Sequence, residues 1–356
     1  APGAPAGDPP PPPRRLFFPA DLPAPFPFEP GRPRAQLPAA IRAAVASGGL
    51  CCFPSLWENF PNACLEAMSL AAPVVASDAG GMAEIIVPDQ CGVLFPSGDA
   101  KALAAAMDRV LTDRTFRARI ASAAPARIAS LCDPAAVIRA TIAAIDTARA
   151  APRPSRRPLR IALVSREFAP FFGGGIGSYI SQACAVLTAA GHEVHVLTGP
   201  HENLLHNAPY LRPGVHFHTV DLNSGRAALD AYPTFPMRYA MAVHESLMRL
   251  HAERPFDYIE FPDYHAEGFF AIRAKRTIGA YRGTVLAVRL HTPSWLCREA
   301  DRDPRLDIHA AHIEHMERAA VGQADAVIAP SRAGLERIAG AAAPDASLAH
   351  TPIHAV

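Results

Sequence analysis

Two glutamates eight positions apart, Glu58 and Glu66, are the residues best placed to do chemistry in this chain. A carboxylate accepts two hydrogen bonds side by side, which suits the vicinal hydroxyls of a ribose or a hexose. Glu58 follows the short apolar run LCCF (50–53), which stops at Pro54 and reads as a buried strand. Glu66 lies in NACLEAMSLA (62–71), which reads as a helix with Asn62 as its N-cap. Ligands of open α/β sheets sit at the C-terminal ends of strands. The free N–H groups of a helix N-terminus attract an anion. Carboxylates on hydroxyls and a helix end on phosphate together suit a sugar nucleotide. The competing reading is that both glutamates are solvated helix-end residues, as charged side chains mostly are.

A second set of residues lies further along. FAPFFGGGIGSYISQ (168–182) puts Gly174 and Gly175 in a loop before a helix, where backbone N–H groups can approach a phosphate. The dinucleotide fingerprint needs its glycines tight against the preceding strand. Here residues 166–173 intervene, so a nicotinamide cofactor is not expected. His291 ends an apolar run, and reads either as a group facing a ligand or as a satisfied buried histidine. Asp263 and His265 follow another run and read as the wall of an acceptor cleft or as a solvated loop. His309, His312 and His315 recur every third residue beside Glu314, but the third drifts around the helix. No metal site is expected.

The elements that position these residues alternate. Residues 50–53, 73–77 and 92–96 read as strands with helices between them, followed by helices over 99–112, 114–130 and 134–150. Asp99 and Asp133 are the expected caps of the first and last of these. A second series of strands falls at 159–165, 193–198, 215–220, 257–261, 284–290 and 325–330. Strands apolar on both faces that alternate with helices mean a parallel, doubly wound α/β sheet. The first series holds three strands, an incomplete domain; the second makes a whole one.

Composition supports a division. Fourteen of the 37 prolines fall in residues 1–38, so 1–37 reads as a Pro-rich disordered linker. All 15 histidines lie beyond residue 190. The expected parts are 1–37, a partial domain over 38–150, a Pro-rich linker over 151–158, and a Rossmann-like domain over 159–356. A net charge of +1 argues against a nucleic-acid partner. Seven scattered cysteines without a CxxC pair point to reduced thiols and a cytoplasmic setting. No run of 18 consecutive apolar residues occurs, so no membrane-spanning helix is expected.

The stretch from Pro54 to Asp113 resembles the C-terminal domain of GT-B-fold glycosyltransferases of the family-4 type. The matching residues are Pro54, Ser55, Glu58, Phe60, Glu66-Ala67-Met68, Pro73-Val74-Val75-Ala76-Ser77, Gly80-Gly81 and Glu84. Ala72 departs from the family, which usually has Gly there. From about Leu159 to Ile353 the chain resembles the N-terminal domain of the same family. Gly174-Gly175-Ile176, Gly191-His192-Glu193-Val194, FDYIEFPDYHAEG (256–268) and VRLHTPS (288–294) carry that likeness.

The resemblance implies two Rossmann-like sheets of GT-B type, the first incomplete. It implies that Glu66 holds the donor ribose, with Asn62 beside it, and that Glu58 holds donor-sugar hydroxyls. Gly174 and Gly175 would border the donor phosphate, and His291 would face the donor sugar. The implied activity is transfer of a sugar from a nucleotide sugar to a glycan or lipid-linked acceptor. Anomeric configuration is retained, and no cofactor or metal is needed. Polysaccharide synthesis and peripheral membrane contact belong to the same expectation.

In the family, however, the N-terminal domain precedes the C-terminal one. Here the order is reversed, and the front half of the C-terminal domain, with its Arg/Lys pair for the diphosphate, is missing. The only lysines, Lys101 and Lys275, do not fit that place. The chain thus reads as the junction of tandem glycosyltransferases, a fragment, or a permuted enzyme that relies on missing halves of a parent chain. The alternative function is a non-catalytic remnant that serves as a binding or interaction module.

Overall fold

The structure, a computed structural model, describes residues 36–148, 157–169, 174–200, 213–223, 225, 232–304, 306–342 and 353–355. The Pro-rich leader and most of the 151–158 linker lie outside the described residues. Pro38–Val356 forms one compact unit.

This unit contains two parallel sheets. The smaller one is β1 (Cys51–Phe53), β2 (Val74–Ser77) and β3 (Val93–Phe95), paired in that order. Every residue of β2 is buried, because the strand lies between two others and under helices. Helices α1 (Leu37–Ala46), α2 (Asn62–Ser69), α3 (Met82–Ile85), α4 (Ala100–Thr112) and α5 (Arg114–Leu131) alternate with or follow these strands. Val110, Phe116 and Ile120 bring α4 and α5 into one apolar cluster with Val75, Val93 and Phe95. Asp99 caps α4 by accepting from Lys101 N (2.9 Å) and Ala102 N (3.0 Å).

Asn62 is not the cap of α2. Pro61 holds that position with extended backbone, and no side chain caps the helix. The Pro61 carbonyl already accepts the first helical bonds from Cys64 N and Leu65 N, which frees the Asn62 amide for another task. The helix ends in a left-handed turn, and the left-handed residue is Ala71 (φ 56°), not Ala72.

Helix α6 (Pro134–Ala148) leaves the first sheet altogether. Its Ile145 is buried among Leu159, Ile161, Phe168, Ala326 and Ile328 of the second sheet. Asp133 caps it, accepting from Ala135 N (3.1 Å) and Ala136 N (3.2 Å). The stretch Arg114–Ala148 is long and apolar enough, by length and composition, to cross a membrane, contrary to the expectation from consecutive apolar runs. Its apolarity comes from scattered alanines and isoleucines. It is two helices separated at Cys132–Asp133, with Phe116, Ile120, Ala124 and Ile128 of α5 buried in the protein.

The larger sheet has seven parallel strands in the order β10-β9-β8-β7-β4-β5-β6. They are β4 (Arg160–Val164), β5 (Glu193–Thr198), β6 (Val215–Thr219), β7 (Tyr258–Pro262), β8 (Val285–Arg289), β9 (Ala326–Ala329) and β10 (Ile353–Ala355). Strands β4, β7 and β8 are buried throughout, as continuous Val/Ile/Leu runs between helical layers must be. Among the helices are α7 (Gly175–Ala189), α8 (Phe235–Glu253), α9 (Phe269–Ile278), α10 (Ser294–Ala300), α11 (Ile308–Gln323) and α12 (Arg332–Ala342). Strand order runs one way from β4 to β6 and the other way from β7 to β10. The crevice of this sheet therefore lies beyond the ends of β4 and β7.

Candidate functional site

The loop after β1 carries Glu58. Its carboxylate accepts from the Ser55 hydroxyl (2.9 Å), and its carbonyl accepts from Gly81 N (2.9 Å). Burial raises the Glu58 carboxyl above the ordinary carboxylate range, and the Ser55 bond opposes this. Gly80 makes the turn possible. Its φ is +60°, and a Cβ there would fall 2.0 Å from the Glu58 carbonyl oxygen. Glu66 is half-buried on α2, one turn after the exposed Asn62, so both lie on one face of that helix. A Cβ added to Gly175 would stand 3.1 Å from Asn62 Nδ2. The structure thus brings the N-terminus of α2 against the glycine loop that opens α7.

Across from Glu58 lies the end of β8. His291 is half-buried, with its ring tilted against Tyr179 at 5.6 Å. Beneath it Arg289 and Glu260 form a buried ion pair (2.8 Å), to which the Tyr179 and Tyr258 hydroxyls also donate. Burial, then the Arg289 charge, lowers His291 to about 3, so its ring is neutral near neutral pH.

Asp263 is fully buried and does not line an open cleft, nor is it a solvated loop residue. One oxygen accepts from His291 N (2.9 Å) and Tyr264 N (2.8 Å); the other has no partner among the described residues. Burial, with the Glu317 charge adding to it, pushes the Asp263 carboxyl up to about 8. His265 adopts a left-handed backbone (φ 61°), with its ring nitrogen 2.7 Å from Arg166 and its N–H donated to Glu317. Burial lowers it to about 4. Asp263 therefore offers no acceptor surface, whereas His265 stays half-buried beside it.

Gly174 stands at the N-cap of α7, with open space around its Cα. Its N–H is not free. The Glu167 carboxylate accepts from Gly174 N (2.8 Å) and Gly177 N (3.3 Å), filling the place where a phosphate is expected. Lys275 is engaged by Asp325 (2.5 Å), and Lys101 lies in the first turn of α4, its backbone N–H held by Asp99. Glu314, beside the α11 histidines, is taken by Arg298 (3.1 Å) and Arg318 (2.8 Å).

The two halves of the site are tied by contacts that the sequence does not show. Asn59 is 2% exposed. Its Nδ2 donates to the carbonyls of Leu290 (3.2 Å) and His291 (2.5 Å), and its Oδ1 accepts from the Ser331 hydroxyl (2.8 Å). Glu84 caps α12, accepting from Arg332 N (3.0 Å) and Ala333 N (2.8 Å). Gly334 has no room for a Cβ, which would lie 1.9 Å from Asn59 Oδ1. The Gly80-Gly81 and Glu84 spacing was the one signal for these contacts, but their partners lie some 250 residues further on.

Comparison with known proteins agrees with this layout. A family model described as glycosyl transferases group 1 matches residues 30–127, and one described as a glycosyl transferase 4-like domain matches residues 174–352. The MMP alpha-(1->4)-mannosyltransferase of Mycolicibacterium hassiacum is 39% identical over 72 residues, covering 20% of this chain and 18% of that protein. The sulfoquinovosyl transferase of Arabidopsis thaliana is 42% identical over 87 residues, covering 24% and 17%. A glycogen synthase of Mycobacterium tuberculosis is 39% identical over 88 residues, covering 25% and 21%. The chain spans less than a quarter of the length of these relatives. A solved sucrose-phosphate synthase from Thermosynechococcus elongatus matches at 28% identity over 29% of this chain and 28% of that one, with a TM-score of 0.25. The second family model spans half of the chain, and on that ground the chain belongs to the glycosyl transferase 4-like family, of GT-B type.

Proposed function

We propose that the chain carries the donor site of a glycosyltransferase that moves a sugar from a nucleotide sugar to a glycan or lipid-linked acceptor with retention of configuration. The observation that carries this reading is the convergence of the Glu58–Asn62 loop with His291 and the Gly174-Gly175 loop. Asn59 holds the first contact, and Asn62 makes the second.

In this reading Glu66 grips the ribose diol, which does not change during transfer. Glu58 and the neutral His291 bind hydroxyls of the reacting sugar. Its flattening towards an oxocarbenium-like state strengthens those bonds. Asp263 fixes the backbone of His291 and so its reach. The leaving diphosphate needs positive partners or helix N-termini. The ends of α2 and α7 supply the latter, once Glu167 has withdrawn. Retention rests on the resemblance alone. The seven cysteines, none of them in a disulfide among the described residues, support the cytoplasmic setting we propose.

A second reading, a binding module without turnover, is favoured by one observation. Glu167 already accepts from Gly174 N and Gly177 N at the start of α7, and Lys275 is taken by Asp325. Titration of the full chain with a nucleoside diphosphate, together with donor-hydrolysis assays, separates the two. Binding with turnover supports the enzyme. Binding without turnover supports the module. No binding by wild type, or equal binding by Glu66→Ala, refutes the assigned donor site.

A further inference from the structure

At the opposite end of the larger sheet, β5 and β6 present a cluster that the glycosyl-transfer reading does not use. The two strands pair in parallel with His195 beside His216 and Leu197 beside His218. Alternation puts Glu193 and His195 on one face of β5, and His216 and His218 on one face of β6. The His195 ring stacks on His216 (4.7 Å, 24°) and on His218 (5.2 Å, 6°). One ligand atom from each of Glu193, His195 and His216 lies within 4.8 Å of the others.

We propose that Glu193, His195 and His216 form a site for a divalent transition-metal ion of the zinc class, with His218 holding His195 in place. Two imidazoles and a carboxylate are a borderline donor set that suits zinc. Ligand atoms around a tetrahedral zinc lie roughly 3.4 Å apart, given bonds of about 2.0–2.1 Å. Small side-chain rotations close the present spacing to that value.

The hydrogen bonds around His195 give the displaced proton a path. His195 Nε2 is 2.9 Å from Glu193 Oε1, and His195 Nδ1 is 2.9 Å from His218 Nε2. The ion takes the place of the proton between His195 and Glu193. That proton moves to His195 Nδ1 and is donated to His218 Nε2, while the His218 proton resides on its Nδ1. No proton is lost overall. His218 then orients the ligand ring as outer partners of metal-bound histidines do.

Glu193 is also held by Arg160 (3.1 Å) and Arg254. Arg254, 60% exposed, holds Oε2; Arg160 shares Oε1 with His195 and must yield that oxygen to the ion. His216 is exposed and leaves a coordination position open to water. The ion would clamp the edge strand β6, whose residues are mostly half-exposed, to the sheet.

The test uses the full chain after chelator treatment, titrated with Zn2+ by calorimetry and with Co2+ by visible absorption. We expect one equivalent to bind and the thermal midpoint to rise with Zn2+. His216→Ala, at an exposed position, should keep the fold by circular dichroism, weaken binding at least about tenfold, and abolish the thermal shift. The double change His309→Ala/His315→Ala on α11 should leave both unchanged. Absence of binding by wild type, equal binding by His216→Ala, or loss of binding in the α11 variant overturns the proposal.

Discussion

Replacing Asn59 by alanine should both weaken the fold and disable the donor site. Asn59 makes three hydrogen bonds at a place that is 2% exposed. Their removal does not harm all partners equally. The His291 carbonyl keeps the Thr292 hydroxyl (2.5 Å), and the Ser331 hydroxyl still accepts from Gly334 N (2.9 Å). The Leu290 carbonyl is left without that donor in a dry place, at a cost of about 1–3 kcal/mol. Loss of the two replaceable bonds adds about 1 kcal/mol together. The sum is roughly 2–4 kcal/mol.

Asn59→Asp should cost more than Asn59→Ala, because it turns an acceptor towards two carbonyls. Urea unfolding of wild type, Asn59→Ala, Ser331→Ala and the double variant gives the cycle. We expect a coupling of about 1 kcal/mol between positions 59 and 331. Nucleoside diphosphate titration of Asn59→Ala should show weaker binding in parallel, since the loop that carries Glu58 is no longer held to His291. An unfolding midpoint equal to that of wild type, with zero coupling to Ser331, would refute the bridge.

Further outcomes follow from single residues. Ala71 occupies a left-handed position (φ 56°), so Ala71→Gly should stabilise the chain by about 1 kcal/mol in urea unfolding; no gain would mean that the lost methyl packs more than the turn strains. Asp263 has a folded carboxyl raised to about 8 from an ordinary 3.8, so the folded state holds a proton that the unfolded state releases. Stability should therefore fall as pH rises from about 4 through 8, and Asp263→Asn should flatten that slope while keeping an oxygen for His291 N and Tyr264 N. In the full chain, Glu66→Ala should weaken diphosphate binding by about one to two decades, from roughly 1.5–3 kcal/mol per charge-assisted bond. Glu58→Ala should instead lower single-turnover rate more than affinity; equal effects on both would remove the distinction drawn between them.

The two sheets were legible because their strands are continuous apolar runs between turn residues. RIALV and VLAVR are buried at every position, as such runs require. Strand β10 was missed, since three residues, Ile353–Ala355, carry no periodicity. Glu58, Glu66, Asn62, Gly175 and His291 stand in the sequence as candidates, and the structure sets Asn62 against Gly175 and ties the Glu58 loop to the His291 backbone through Asn59. The loop order of a doubly wound sheet brings such residues to one edge. What could not be read was the linkage of Asn59 to Ser331, because hydrogen bonds across 272 positions leave no local pattern. The burial of Asp263 was hidden for a related reason. PDYH looks like a polar turn until α11 brings Glu317 over it. Glu167 gives no signal in the sequence, since a carboxylate near glycines reads as solvated; in the fold it is the anion at the helix end.

The crossing of α6 from the first sheet to the second also sets a timetable for synthesis. Ile145 finds part of its cover in β9, whose residues Ala326–Ala329 are made some 180 positions later. At about 5–20 residues per second, the ribosome needs roughly 10–40 s to deliver them. Throughout that interval an alanine- and isoleucine-rich helix stands outside the exit tunnel with one face uncovered. That exposure is long enough for a chaperone to bind and for neighbouring nascent chains to associate. Slowing translation over 150–320 should therefore increase capture of the nascent chain, and the final closing of α6 onto β9 marks its release.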